Sequence, residues 1–148
     1  MGAWGCGIVE SDTAYDYFDT LEPWFPSRQL YKIINDDATK EEISWTKEVF
    51  RNNKFALRKM ALTSYESDKE VYMLIYTAFM RFFELDLDKE DLKEFDKAYE
   101  EQMTHIEEWS PPKERELALK ELKEAVDQNK RYNFSHEGLF EKIQKHIN

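Results

Sequence analysis

The sequence contains a single cysteine, Cys6, so no disulfide can form within the chain and a reducing compartment is expected. Its most apolar stretch, residues 71–83, is shorter than the roughly 20 residues of a membrane-spanning helix and includes Arg81. The N-terminus has neither a basic region nor a long apolar run, which argues against a secretory signal. We therefore expect a soluble, cytoplasmic protein that does not bind membranes.

Glycine and proline are also scarce, with four of each, and three of the glycines fall before residue 8. Little beyond that point interrupts a helix, and the alternating pattern typical of strands is absent. An apolar content of 41% argues against disorder, and 148 residues suit one domain. The sequence predicts an all-α fold: a single compact multi-helix domain over residues 1–148. Residues 1–10 are expected to form an extended Gly/Trp-rich N-terminal clasp.

Apolar spacing and capping residues place the expected helices. Residues 71–83 are apolar all round, which predicts a helix packed on several sides at the centre of the core. The first three expected helices run from Ser11 or Asp12 to about Leu21, from Ser27 to about Ile34, and from the Thr39–Glu42 capping box to about Ser64 with a break at Asn52-Asn53. The others run from Ser67 to Phe83, from Asp88 or Lys89 to Trp109, onward from Pro111-Pro112, and onward from Ser135.

Charge is the most unusual property of the chain. With 21 basic and 31 acidic residues the net charge is −10, which argues against direct nucleic-acid binding. Residues 1–22 carry five acidic and no basic side chains, and residues 84–108 carry eleven acidic side chains against three lysines. Residues 40–59 have the opposite balance, with six basic and three acidic side chains.

The acidic segments are candidates for contact with a basic protein partner. The apolar stripe of the helix from Asp88 points inward, so we expect five acidic side chains to face water or a partner: Glu90, Asp91, Glu94, Glu101 and Glu108. The first helix adds Asp12, Asp16 and Asp19. An ordinary solvated face and an electrostatic docking face both fit this pattern.

Aromatic residues supply a second set of candidates, because Trp and Tyr dominate protein-binding hot spots. Most of the aromatic residues recur at spacings of three and four, which is typical of the buried face of a helix. Tyr17 falls outside the Tyr15/Phe18 stripe and Trp24 lies in a loop bounded by two prolines, so we expect these two side chains to be exposed.

No catalytic or cofactor-binding motif is present. Gly2, Gly5 and Gly7 do not form a phosphate-binding loop, since no basic residue precedes Arg28. The histidines show no metal-binding spacing. We therefore predict no cofactor and no enzymatic activity. A divalent metal held by Glu10, Asp12 and Asp16 stays open as an alternative.

The opening residues carry one resemblance. The run Met1-Gly2-Ala3-Trp4-Gly5, with Gly7 and then Glu10, Asp12, Ala14 and Asp16, resembles the start of the bacterial domain-of-unknown-function family 4259 over residues 1–21. The resemblance implies a small bacterial or phage protein of the kind sometimes encoded near toxins or defence systems. It brings no catalytic residues.

These observations favour a stoichiometric inhibitor that binds a basic protein. An immunity protein that neutralises a nuclease-type toxin fits them, as does a phage inhibitor of a nucleic-acid-binding defence protein. A metal-dependent enzyme built on Glu10, Asp12 and Asp16, or a helical subunit of a larger assembly, are the alternatives.

Overall fold

Helices make up most of the structure, a computed structural model that describes residues 7–9, 12–26, 28–63 and 66–134, without the side chains of Asp12 and residues 66–68. The six α-helices are α1 (Asp12–Thr20), α2 (Gln29–Ile34), α3 (Lys40–Leu62), α4 (Glu66–Phe82), α5 (Lys89–Thr104) and α6 (Pro112–Asp127), with a 3₁₀ helix at Ile106–Glu108. No strand occurs in the described ranges, which confirms the all-α prediction. The helix predicted after Ser135 lies outside the described residues.

Side chains at the start of α3 satisfy backbone groups that the helix leaves unpaired. The backbone N–H of Glu42 donates to Thr39 Oγ1 at 3.1 Å, and the N–H of Thr39 donates to Glu42 Oε1 at 2.9 Å. This confirms the predicted capping box. The predicted break is also present, because the backbone of Asn53 is not helical (φ −127°, ψ 21°).

Helix α4 lies at the centre of the fold, as its apolar sequence predicts. Every residue from 71 to 83 is buried, and α1, α3, α5 and α6 all pack against it. Aromatic rings fill the contact with α3: the ring of Phe50 lies 5.5 Å from that of Phe79 and 5.3 Å from that of Phe83. Rings at these distances add to the free energy of burial.

The described part of the predicted N-terminal clasp, residues 7–9, joins this core. Ile8 and Val9 are buried, and Arg115 Nη1 of α6 donates to the backbone oxygen of Gly7 at 3.0 Å. Arg115 is itself fully buried and also donates to Gln102 Oε1 at 2.8 Å. The other residues of the clasp lie outside the described residues.

A buried carboxylate joins α5 to α3 and α4. Asp91 is fully buried, and its Oδ1 accepts from Arg58 Nη1 at 2.8 Å and from the Tyr76 hydroxyl at 3.1 Å. Lys54 Nζ lies 3.2 Å from Asp91 Oδ2, and Lys54 and Arg58 each reach Asp88 at 3.0 Å. We call these five residues the ionic cluster.

The same two acids begin α5. The backbone N–H of Asp91 donates to Asp88 Oδ1 at 2.8 Å, and that of Asp88 donates to Asp91 Oδ2 at 3.0 Å. The predicted start at Asp88 or Lys89 is confirmed, whereas the predicted end at Trp109 is wrong, because α5 ends at Thr104 and a 3₁₀ helix follows at Ile106–Glu108. The prediction that Asp91 faces water is wrong, because this carboxylate caps the helix and accepts hydrogen bonds from the side chains of α3 and α4.

Burial and bonding act in opposite directions on Asp88. Partial burial raises the pKa of its carboxyl, but hydrogen bonds from the backbone N–H of Asp91 and from Lys54 and Arg58 outweigh that effect and hold the pKa well below its ordinary value of 3.8. Burial, with the negative charge of Asp91 beside it, raises the pKa of Tyr76 far above its ordinary value.

Asp91→Ala tests the ionic cluster. Removing this carboxylate leaves two half-buried cations with one partner fewer, so we expect the free energy of unfolding to fall by roughly 3–5 kcal/mol in urea denaturation. Asp96→Ala, at an exposed site on the same helix, is the matched control and is expected to change it by less than about 0.5 kcal/mol. A loss below about 1 kcal/mol for Asp91→Ala would contradict the assigned role.

Stability is expected to depend on acid pH. Because the pKa of Asp88 is lower in the folded than in the unfolded chain, its contribution is complete above about pH 5 and is lost as the pH falls toward the folded-state pKa. The urea midpoint should therefore drop between pH 5 and pH 2, with a shallower drop in Asp88→Asn, which keeps a good helix cap. An identical drop in both proteins would refute this.

Candidate protein-binding surface

Acidic side chains are concentrated where α5 ends. Glu100 and Glu101 lie near the end of the helix, Glu107 and Glu108 lie in the 3₁₀ helix, and all four are exposed. No lysine or arginine occurs between Lys97 and Lys113. We call these four glutamates the acidic surface.

These carboxylates have few internal partners. No lysine or arginine of the described residues comes within 4.0 Å of any of them. His105 lies between two of them, with Nε2 at 3.0 Å from Glu101 Oε1 and Nδ1 at 3.2 Å from Glu108 Oε2. Most of the negative charge is therefore available to a partner.

The position of this charge works against the helix that carries it. The C-terminal end of a helix has a partial negative charge, so carboxylates there are unfavourable by a few tenths of a kcal/mol each. The last turn of α5 contains no basic residue, although lysine or arginine would stabilise it. Helix stability thus does not explain the carboxylates of Glu100 and Glu101 near the end of α5.

The first half of α5 has a different character. Lys89, Lys93 and Lys97 are interspersed with its acids, and Lys97 Nζ lies 3.6 Å from Glu94 Oε1. Glu90 is exposed as predicted, and Glu94 is half-buried. Predicted binding residues on this half of the helix therefore lie in a mixed-charge environment.

A groove lies beside the acidic surface, between the end of α3, the start of α4 and α5. Its volume is about 430 Å³. Leu62, Met73 and Ala98 give it apolar walls, and Glu100 and Glu101 belong both to the groove and to the acidic surface. Glu70, Glu94, Lys69 and Lys97 complete the charged lining, which therefore carries four carboxylates and two ammonium groups. The excess of carboxylates favours a basic side chain, whose methylene stem can pack on the apolar walls.

The acids predicted on α1 lie on a different helix. Asp16 and Asp19 are exposed, and Asp19 Oδ1 accepts a hydrogen bond from the Tyr31 hydroxyl at 3.0 Å. Burial and then this bond raise the pKa of Tyr31 to about 12. The side chain of Asp12 lies outside the described residues. A role for these acids in binding stays a prediction.

One of the two predicted aromatic binding residues is placed differently. Tyr17 is fully buried and its ring lies 4.6 Å from that of Tyr72, so the prediction that it is exposed is wrong. The reason is that α1 buries two faces, one through Phe18 and one through Tyr17, and the sequence pattern showed only the first. Trp24 is half-buried against the core.

Two exposed aromatic residues on α3 were not predicted. Trp45 is 45% and Phe55 is 68% exposed, more than any other large apolar side chain that the structure describes. Their exposure could have been predicted from their positions relative to the buried residues of the same helix. Phe55 lies two residues from buried Leu57, and such a separation turns a helical side chain toward the opposite face.

A metal site is not seen in the part of the chain that the structure describes. No group of three or more His, Cys, Asp or Glu residues there is arranged to hold a metal ion. Of the alternative metal ligands, Asp16 is exposed, while Glu10 and the side chain of Asp12 lie outside the described residues. Among the described helices, none is long and apolar enough to cross a membrane.

Comparisons with protein families, with curated proteins and with solved structures found no match to this chain. The resemblance of residues 1–21 to family 4259 stays a prediction.

Tyr17→Phe tests the buried, unpaired state of the Tyr17 hydroxyl. The buried Tyr17 hydroxyl has no hydrogen-bond partner among the described residues, and burial raises its pKa far above the ordinary value. Deleting an unpaired buried hydroxyl should raise the free energy of unfolding by about 1 kcal/mol, measured by urea denaturation. A loss of stability would show that this hydroxyl forms a bond that stabilises the fold.

Glu100→Lys tests whether the acidic surface costs stability. A lysine side chain there favours the helix dipole and lies one turn from Asp96, so the free energy of unfolding should rise by roughly 0.3–1 kcal/mol. The control is Glu90→Lys near the start of α5, where the dipole favours the acid and stability should fall. A decrease for Glu100→Lys would mean that the glutamate stabilises the fold.

Proposed function

We propose that this protein is a stoichiometric inhibitor that binds a basic protein through its acidic surface, and that it acts as an immunity protein against a nuclease-type toxin. The observation that supports this most is the exposure of Glu100, Glu101, Glu107 and Glu108 without a lysine or arginine partner among the described residues, with the first two opposing the dipole of α5. An inhibitor of a nucleic-acid-binding defence protein would use the same surface.

The inhibition follows from electrostatics and steric exclusion. A nuclease holds the phosphates of its substrate with lysine and arginine side chains. Carboxylates arranged on a rigid helix end can pair with those cations in place of phosphate, and the bulk of the domain then covers the site. The net charge of −10 also attracts a basic partner before contact and raises the association rate.

The groove beside the acidic surface would add specificity. Its four carboxylates outnumber its two lysines, Lys69 and Lys97, and together with the apolar walls they suit one lysine or arginine of the partner. A basic side chain enclosed in such a groove is a typical binding hot spot, since water is excluded around the charge pair.

Charge neutralisation on two faces tests this function. The wild-type chain serves as bait in a lysate of the source organism, and the captured protein is purified. A triple variant (Glu100→Gln, Glu107→Gln, Glu108→Gln) should bind that protein at least about tenfold more weakly in calorimetry. The wild type should abolish its nuclease activity or nucleic-acid binding at one equivalent.

The matched control removes three acids from α6, each of which already has a lysine partner: Glu116→Gln, Glu124→Gln and Asp127→Asn. We expect this variant to bind within about twofold of the wild type, since paired surface charges add little. Equal binding by both triple variants, or a captured protein without a basic surface, would refute the proposal.

A further inference from the structure

Another pocket, with a volume of about 490 Å³, is lined by the end of α2, the start of α3, the end of α4 and the chain that follows α6. Ile33, Ile43, Phe82 and Phe134 give it apolar walls. None of its lining residues belongs to the acidic surface or to the groove beside that surface. A volume in this range and walls of this kind are typical of sites for small molecules.

Two opposite charges line this pocket. The carboxylate of Asp36 belongs to the turn after α2, and the guanidinium of Arg131 belongs to the chain after α6. Both side chains are exposed, and neither forms an ion pair within the described part of the chain. The Arg131 nitrogens thus lie more than 4.0 Å from the Asp36 carboxylate oxygens. A ligand that carries both charges can pair with each of them.

A buried arginine fixes the chain that carries Arg131. Arg81 is 2% exposed, and its Nε donates to the backbone oxygen of Lys130 at 3.1 Å. The backbone N–H of Tyr132 donates to the backbone oxygen of Arg81 at 3.2 Å. The guanidinium of Arg131 lies 4.6 Å from the centre of the Phe82 ring. The backbone and the side chain of Arg131 are therefore both held in place, which lowers the entropy lost when a ligand binds.

The turn that carries Asp36 is fixed by the end of α2. The backbone N–H of Asp36 donates to the oxygen of Ile33 at 3.2 Å, and that of Asp37 donates to the oxygen of Lys32 at 2.7 Å. Asp36 has a φ of 59°, in the left-handed region where glycine is the usual residue after a helix. An aspartate is less favourable there than glycine, so the backbone geometry does not account for this carboxylate.

Two amide side chains supply neutral hydrogen-bonding groups at the same pocket. Asn35 and Asn133 both line it, and both are exposed. Neither side chain has a hydrogen-bond partner among the residues that the structure describes. An amide can donate to a carboxylate or accept from an ammonium group, so it suits either charged end of such a ligand.

We propose that this pocket binds a free α-amino acid with a large apolar side chain. The carboxylate of the ligand pairs with Arg131, its ammonium group pairs with Asp36, and its side chain packs against the apolar walls. The terminal residue of a peptide carries only one of these two charges, so a free amino acid matches the pocket better. The inference does not rest on the proposed function, since it uses no residue of the acidic surface.

Phenylalanine is the first probe, added to the isotope-labelled full chain and followed by NMR. The amide signals of Asn35, Asp36, Arg131 and Asn133 should shift with a dissociation constant of about 0.1–1 mM, because exposed charges bind a small ligand weakly. Phenylpropionate lacks the ammonium group, phenethylamine lacks the carboxylate and glycine lacks the apolar side chain. Each should bind at least about fivefold more weakly. No shift at about 10 mM phenylalanine, or equal binding of all four compounds, would overturn the proposal.

Removal of each charge tests its role. Arg131→Gln should weaken phenylalanine binding at least about tenfold, and Asp36→Asn at least about fivefold. Asparagine suits a left-handed backbone, so the turn is kept. The matched controls are Arg51→Gln and Asp37→Asn, at exposed sites that do not line the pocket, and each should bind within about twofold of the wild type. Full binding by the first two variants, or an equal loss in the controls, would overturn the proposal.

A comparison of ligands assigns each charge to its partner. If Arg131 pairs with the carboxylate, Arg131→Gln should bind phenylalanine and phenethylamine with affinities within about twofold of one another. By the same reasoning, Asp36→Asn should bind phenylalanine and phenylpropionate almost equally. Circular dichroism confirms that each variant is folded. A preference for phenylalanine that persists unchanged in both variants would overturn the proposal.

Discussion

The buried carboxylate of Asp91 is the interaction on which the arrangement of the helices depends. It begins α5 as half of a capping box and accepts hydrogen bonds from Arg58 of α3 and from Tyr76 of α4. A buried charge without such partners would cost several kcal/mol, so these three helices are tied to one relative placement. The position of the acidic surface follows from it, since Asp91 fixes the N-terminal end of the helix that carries Glu100 and Glu101.

Charged side chains stabilise the fold in one part of the molecule and destabilise a helix in another. Within the ionic cluster, acids and bases balance, and the fold gains from it. At the other end of α5, Glu100 and Glu101 have no lysine or arginine partner and oppose the helix dipole. Natural proteins carry such unfavourable features where function requires them. In our proposal the function is binding of a basic protein.

Local signals in the sequence predicted the helices well, because a cap involves residues only three apart. Thr39 with Glu42, the start at Asp88, the break at Asn53 and the central position of α4 are all of this kind. The buried side chain of Asp91 could not be predicted, since the cation it binds lies 33 residues away in sequence. The exposure of Trp45 and Phe55 could have been predicted by assigning each residue of α3 to a face of the helix. The sequence identified residues 84–108 as an acidic segment that contains the acidic surface. Most of the binding residues predicted in this segment, however, lie nearer the start of α5 than the acidic surface does.

In our proposal, carboxylates without lysine or arginine partners at the end of α5 drive association with a basic protein. The most direct measurement is the association rate constant with the captured partner, by stopped-flow fluorescence, at about 50 and 500 mM salt. We predict that the rate falls at least about tenfold, because salt screens the attraction between the two surfaces. A rate that stays the same over this range would contradict it.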